Sequence, residues 1–223
     1  MLLCISYFQF GGVLKKSDQV SPYFLYDLDK IRVFIELSDR HWKEESTKYN
    51  ESDLEVDEST CWDRYKYRND LSTHFDSIFP QYQKQSYLVM LVSLFEDYLN
   101  QFCHSLYLEK NLSCKLKDCN GTGIERAKIY LAKVALVKVP TGTKFWERII
   151  EARNIRNIVA HNAGYLDEEL HKKHFKIVAK NAYLESEKFA RIHLNVKQSY
   201  LFEVVDAMEN FAKEISINLK NTQ

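Results

Sequence analysis

Glycine and proline are scarce, six and three in 223 residues. An all-β sandwich or barrel needs many tight turns, so that class is excluded. No apolar run approaches the ~20 residues of a membrane-spanning helix. The longest, Tyr87–Phe95 and the stretch opening at Met1–Ile5, fall well short, so no membrane association is expected. The opening MLLCISYFQF has no basic lead and no small-residue cleavage pattern behind it, so no secretory leader is expected. Five cysteines form an odd, sparse set, which suits reduced thiols and a cytoplasmic location better than a disulfide framework. Neither sign of charge is in excess, with 31 Lys+Arg against 31 Asp+Glu. That excludes a generally basic nucleic-acid coat but leaves room for a local patch. Phosphate-binding glycine loops, nucleophile elbows and dinucleotide fingerprints are missing as well. What is present is 45% hydrophobic and 13% aromatic residues, enough for one folded unit with a proper core.

The apolar spacing is helical through most of the chain, which predicts an all-α helical bundle. Leu91, Leu94, Phe95, Tyr98, Leu99, Phe102, Cys103 and Leu106 follow the i, i+3, i+4, i+7 pattern of a buried face within a helix from Tyr82 to Leu112. Asn120-Gly121-Thr122-Gly123 breaks the chain. A second helix is predicted over Ile124–Val139, closed by Pro140 and Gly142, and a third from about Thr143 to His161, ending at Gly164. Asp167–Arg191 and Gln198–Leu219 read as two more, and Pro22–Trp42 and Trp62–His74 as helices upstream. Only the first 14 residues suit a strand. The expected organisation is an N-terminal helical extension over 1–79 and a helical bundle over 80–223. Residues 44–63 hold eight acids and one base, Lys48, and read as a solvated loop. Residues 122–161 hold eight Lys/Arg and three Glu, so a neutral chain carries one basic region.

Within that region, residues 153–164 read R-N-I-R-N-I-V-A-H-N-A-G. On a helix at about 100° per residue, with Arg156 at zero, Arg153 falls near 60°, Asn157 near 100° and His161 near 140°. Ala160 and Gly164 share that arc, so nothing large crowds the polar groups. Ala152, Ile155, Ile158 and Val159 occupy the opposite arc, so replacing Arg156 or His161 is expected to leave stability intact. The helix ends just after His161, where its dipole favours an imidazolium. Guanidinium groups offer planar forks to phosphate oxygens, and an imidazole moves protons near neutrality. RNA brings its own nucleophile, the 2′-OH, so such a set suits metal-independent phosphodiester cleavage to a 2′,3′-cyclic phosphate and a 5′-hydroxyl. An Arg and a His five residues apart are unspecific by themselves, and a surface arginine beside a helix-capping histidine is the ordinary alternative. The surrounding R-N-x3-H-N-x-G on an amphipathic helix carries more weight.

Those residues resemble the HEPN domain, the helical-bundle fold of many bacterial toxin, abortive-infection and CRISPR-associated ribonucleases. Its R-x4-6-H motif is matched by Arg156 and His161, and the polar residue that often follows the arginine by Asn157. The resemblance spans roughly residues 80–219. It implies a metal-independent endoribonuclease of the toxin or anti-phage type without cofactor, acting as a homodimer whose two motif faces form one composite site. It also implies an acid on an earlier helix, for which Glu96 in S-L-F-E-D-Y-L is the best match. Glu96 sits at the edge of its helix's apolar stripe, while Asp97 points further into solvent. Arg153, Asn162 and Arg148 complete the expected RNA-contacting set, and Ile149 and Ile150 are expected to pack across the dimer interface. A cognate antitoxin or defence-system protein is a further expected partner. Toxins paired with nucleotidyltransferase antitoxins often carry Tyr two residues after the histidine; here that residue is Ala163.

Other clusters carry less chemistry. Cys103, His104, Cys114 and Cys119 lack a second matching ligand pair, and Cys103 lies on the apolar stripe, so no metal site is expected. His171 and His174 read as solvated. Trp62, Tyr65 and Tyr67 alternate with Arg64, Lys66 and Arg68, a composition that can stack on bases but also suits a packed helix. Two further readings stand beside the ribonuclease: an inactive module that binds RNA, a nucleotide or a protein partner, and a structural helical protein.

Overall fold

The computed structural model describes residues 16–51, 72–167, 169, 172–180, 184–188 and 192–221. The described chain is mostly helical, with six α-helices and one small sheet. The helices are α1 (Ser17–Glu51), α2 (Phe79–Glu109), α3 (Gly123–Lys133), α4 (Lys144–Asn162), α5 (Lys172–Lys180) and α6 (Gln198–Lys220). A π-helical turn, His74–Ile78, leads into α2. Helices α1 and α4 flank the α2/α6 pair, and α3 leans on α2.

One aromatic relay crosses the interior and touches all four long helices. Phe24 of α1 stacks on Tyr98 of α2 at 4.2 Å, Phe95 meets Phe211 of α6 edge-on at 5.1 Å, and Phe211 meets Trp146 of α4 at 5.5 Å. Such contacts add stabilisation beyond the area they bury. The core therefore runs continuously across residue 79/80, with Val20, Phe24, Leu28 and Ile35 of α1 buried in the same cluster as α2 and α6. The first helix is part of this one core.

Three expectations are corrected. The stretch read as one helix over Asp167–Arg191 contains α5 and then β2 (Leu184–Lys188), which pairs antiparallel with β3 (Ile192–Val196). With β1 (Tyr165–Leu166) these form a sheet of order β1-β3-β2. The first 14 residues, the one stretch read as suited to a strand, lie outside the described residues. The helix predicted through Val139 ends at Lys133: the Val137 N–H reaches the Leu131 carbonyl at 2.8 Å, and Leu136 takes a left-handed φ of +56°. Ala135 and Val137 are thereby tucked under as core residues. Finally, residues 44–51, expected in a solvated loop, form the end of α1. Residues 62–71 of the predicted Trp62–His74 helix lie outside the described residues. No described helix is long and apolar enough to cross a membrane.

Candidate functional site

Helix α4 starts where Thr143, in extended conformation, accepts the Trp146 N–H on its hydroxyl at 3.3 Å. It ends at a left-handed Ala163 (φ +50°) followed by Gly164 (φ +78°). Two consecutive left-handed residues reverse the chain into β1. Gly164 is favoured there, because its φ is left-handed and a Cβ would lie 2.6 Å from Gln85 Nε2 and 3.0 Å from His193 Nε2. Gln85 of α2 donates to the Leu194 carbonyl at 2.9 Å, and the Leu194 N–H reaches the Gly164 carbonyl at 2.9 Å. The small sheet thus ties the end of the motif helix to α2 and fixes where His161 stands.

Trp146, Ile149, Ala152, Ile155 and Ile158 form the buried side of α4. Ile149 and Ala152 lie about 20° and 40° either side of Arg156 on the helical wheel. The core boundary therefore passes through Arg156, contrary to the expectation that this residue lies opposite the core. Arg156 Nη2 donates to Glu96 Oε1 at 2.8 Å, with the two side chains only 19% and 25% exposed. Arg156 Nε is buried without a partner among the described residues. Asp97, one residue on, instead accepts from Gln101 at 2.5 Å.

The Glu96 carboxylate also abuts the start of α3. A Cβ on Gly123 would lie 2.8 Å from Glu96 Oε1, and Gly123 itself has φ +50°. Glycine takes that backbone without strain and leaves the carboxylate in place. The carboxylate is held between a guanidinium on one helix and the positive end of another. Beside it, Arg153 Nη1 donates to Glu125 Oε1 of α3 at 3.3 Å, and Lys128 pairs with the other oxygen of the same carboxylate. Hydrogen bonding from Lys128, with the charges of Lys128 and Arg153, holds the Glu125 carboxyl below its usual range.

Asn157, His161 and Asn162 are exposed on the last turns of α4. The structure thus brings Arg153, Arg156 and Glu96 into one seam between α2, α3 and α4, with Asn157 and His161 further along the same helix. Arg148 does not join them. It faces α6, bonded to Glu151 at 2.6 Å and 3.9 Å from Glu203, with its guanidinium over the Tyr200 ring. The expected interface role of Ile149 is also corrected: it is fully buried in this chain's own core, and Ile150 packs partly against that core. Because α4 lies against both α2 and α6, its apolar residues are satisfied within one chain.

Sequence reasoning missed Gly123, Glu125 and His193. The first two lie just where the glycine break passes into a helix, a signal visible in the sequence but read only as punctuation. His193 comes to the end of α4 solely through strand pairing. The Cys103 thiol is buried, and that burial pushes it up to about 12. Among the described residues no group of three or more His, Cys, Asp or Glu could hold a metal ion. His171 and the Trp62–Arg68 run lie outside the described residues.

Comparison of the chain with known protein families, curated proteins and solved structures gives no match.

Proposed function

We propose that this chain is a metal-independent endoribonuclease of the HEPN type, acting as a toxin or anti-phage effector. The observation that supports it is the Glu96–Arg156 pair at 2.8 Å, set on the same helix as an exposed His161 five residues on. In this reading His161 takes the proton from the 2′-OH, the freed oxygen attacks the adjacent phosphorus, and the bond to the 5′-oxygen breaks. That oxygen leaves as a hydroxyl once protonated. Glu96 occupies Nη2 and so fixes the guanidinium plane, leaving the remaining in-plane N–H donors to meet phosphate oxygens as negative charge builds. Asn157 and Arg153 contact the same backbone. The reaction needs two proton transfers and one copy of the motif supplies one motif histidine, so a two-fold dimer that sets two motif faces together completes the set.

A second reading is favoured by one feature: both motif arginines are already engaged by carboxylates. A module so neutralised could bind RNA, a nucleotide or a protein partner without cleaving.

The deciding experiment is incubation of the purified protein with single-stranded RNA, and with DNA of the same sequence, in EDTA. The expected result is RNA cleavage to 2′,3′-cyclic phosphates, intact DNA, and no cleavage by His161→Ala. Cleavage of DNA, or loss of RNA cleavage on chelation, overturns the mechanism. Binding without cleavage selects the second reading.

A further inference from the structure

We propose that the groove along the outer face of α3 is a path for single-stranded RNA leading away from the Arg156 seam. The assignment rests on the reading of that seam as an RNA-cleaving site. The groove has a volume of about 530 Å³ and is lined by Lys128, Ile129, Ala132, Lys133, Leu136 and Lys138 among others. Three of its lining residues are lysines and none is an acid, in a chain of zero net charge. Lys133 and Lys138 are exposed, and their ammonium groups have no carboxylate partner among the described residues. Their charge is therefore free for an anion.

Leu136 is the second, independent observation. It is 68% exposed and sits at φ +56°, the left-handed position after a helix end that glycine usually fills. A branched apolar side chain is disfavoured both by that backbone and by that exposure. Held there, it lines the groove together with Ile129, Ala132 and the three lysines. An apolar floor with cations on its rim suits a strand whose bases are unstacked and whose phosphates lie outward.

Continuity with the seam comes from Glu125. Its carboxylate joins Lys128, the first lysine of the groove, to Arg153 of the motif helix. Carboxylate and phosphate oxygens are recognised by the same donors. A backbone phosphate between Lys128 and Arg153 competes with that carboxylate for the same two donors, so groove and seam meet at one point where an anion is already held. An acidic polypeptide would satisfy the lysines but has no bases to lay on the apolar floor.

The test is fluorescence anisotropy with a labelled 12-nucleotide 2′-O-methyl oligouridine, which lacks the nucleophilic hydroxyl and reports binding alone. The variants are Lys133→Gln with Lys138→Gln, and Leu136→Gly, each checked by thermal melting. Removing two phosphate contacts should lower the slope of log K against log salt by about 1.4. Leu136→Gly should weaken binding while leaving that slope unchanged and raising the melting temperature. Absence of binding, an unchanged slope in the double lysine variant, or displacement by polyglutamate as effectively as by RNA, each overturns the groove. If the slope falls as expected while ordinary RNA stays uncleaved, the groove stands as an RNA-binding surface and the ribonuclease reading falls. If RNA is cleaved and the slope does not move, the groove falls alone.

Discussion

Replacing Arg156 by Ala strands the Glu96 carboxylate, which is only 25% exposed and lies against the start of α3. Fully exposed ion pairs contribute about 0.2–1 kcal/mol, whereas removing one partner of a fully buried pair costs about 3–5 kcal/mol. A pair with four-fifths of the guanidinium side chain covered falls between, so Arg156→Ala should cost about 1–3 kcal/mol. For a chain of this size that is a fall in melting temperature of roughly 2–12 °C. Glu96→Gln should cost less, since an amide can still accept from Arg156. In the double variant the unpaired carboxylate is gone, so the two costs should fall short of their sum by about 1–2 kcal/mol. His161→Ala, on the exposed last turn, should leave the melting temperature almost unchanged. The assay is thermal unfolding followed by circular dichroism for wild type, the single variants and the double variant. Strict additivity of Arg156→Ala and Glu96→Gln, or an Arg156→Ala melting temperature equal to wild type, would falsify the placement of this pair at the core edge. The measurement needs no substrate, so it stands whether or not the chain cleaves RNA.

Gly123→Ala should push the Glu96 carboxylate away from Arg156 and lower stability by about 1–3 kcal/mol. Shortening residue 96 with Glu96→Asp in that background should restore part of the loss; absence of rescue would assign the whole effect to backbone strain. Because the Glu125 carboxyl is held below its usual range, its ion pairs contribute stability that is fully present above the unfolded carboxylate pKa of about 4.3. That contribution is lost as pH falls through the lower folded value, so urea midpoints of Glu125→Gln should show a shallower acid limb than wild type. Parallel curves would contradict the shift. Ile149→Ala should cost about 2–5 kcal/mol, as a truncation in a closed core does, with no change in oligomeric state by light scattering. A stable variant with altered assembly would return Ile149 to an interface.

Much of the fold was written locally. The apolar stripe from Leu91 to Leu106 and its counterpart on α6 repeat at helical spacing because each helix meets a neighbour along one face for several turns. The end of α4 was equally legible, since Gly164 closes a turn that few other residues can make. The strands were not. Ile192, Leu194 and Val196 alternate over only five residues, too short a signal to outweigh the helical appearance of the segment before them. Their partners lie across the sheet, and Gln81 and Gln85, which bond to β3, lie on α2 over a hundred positions away.

The candidate site divides in the same way. The sequence by itself determined which chemical groups share one side of α4, because Arg153, Arg156, Asn157 and His161 are spaced by a fixed helical period. It also set Glu96 at the margin of its own stripe. Which carboxylate engages each arginine, why glycine suits residue 123, and why Arg148 turns to α6 were decided only in the tertiary structure. Those outcomes depend on the angle at which α2, α3 and α4 meet. The seating of α2 and α4 around α6 rests on Phe95, Phe211 and Trp146, and α3 is held by its own buried Ile124, Ala127, Tyr130 and Leu131, residues far apart in the chain with no period in common.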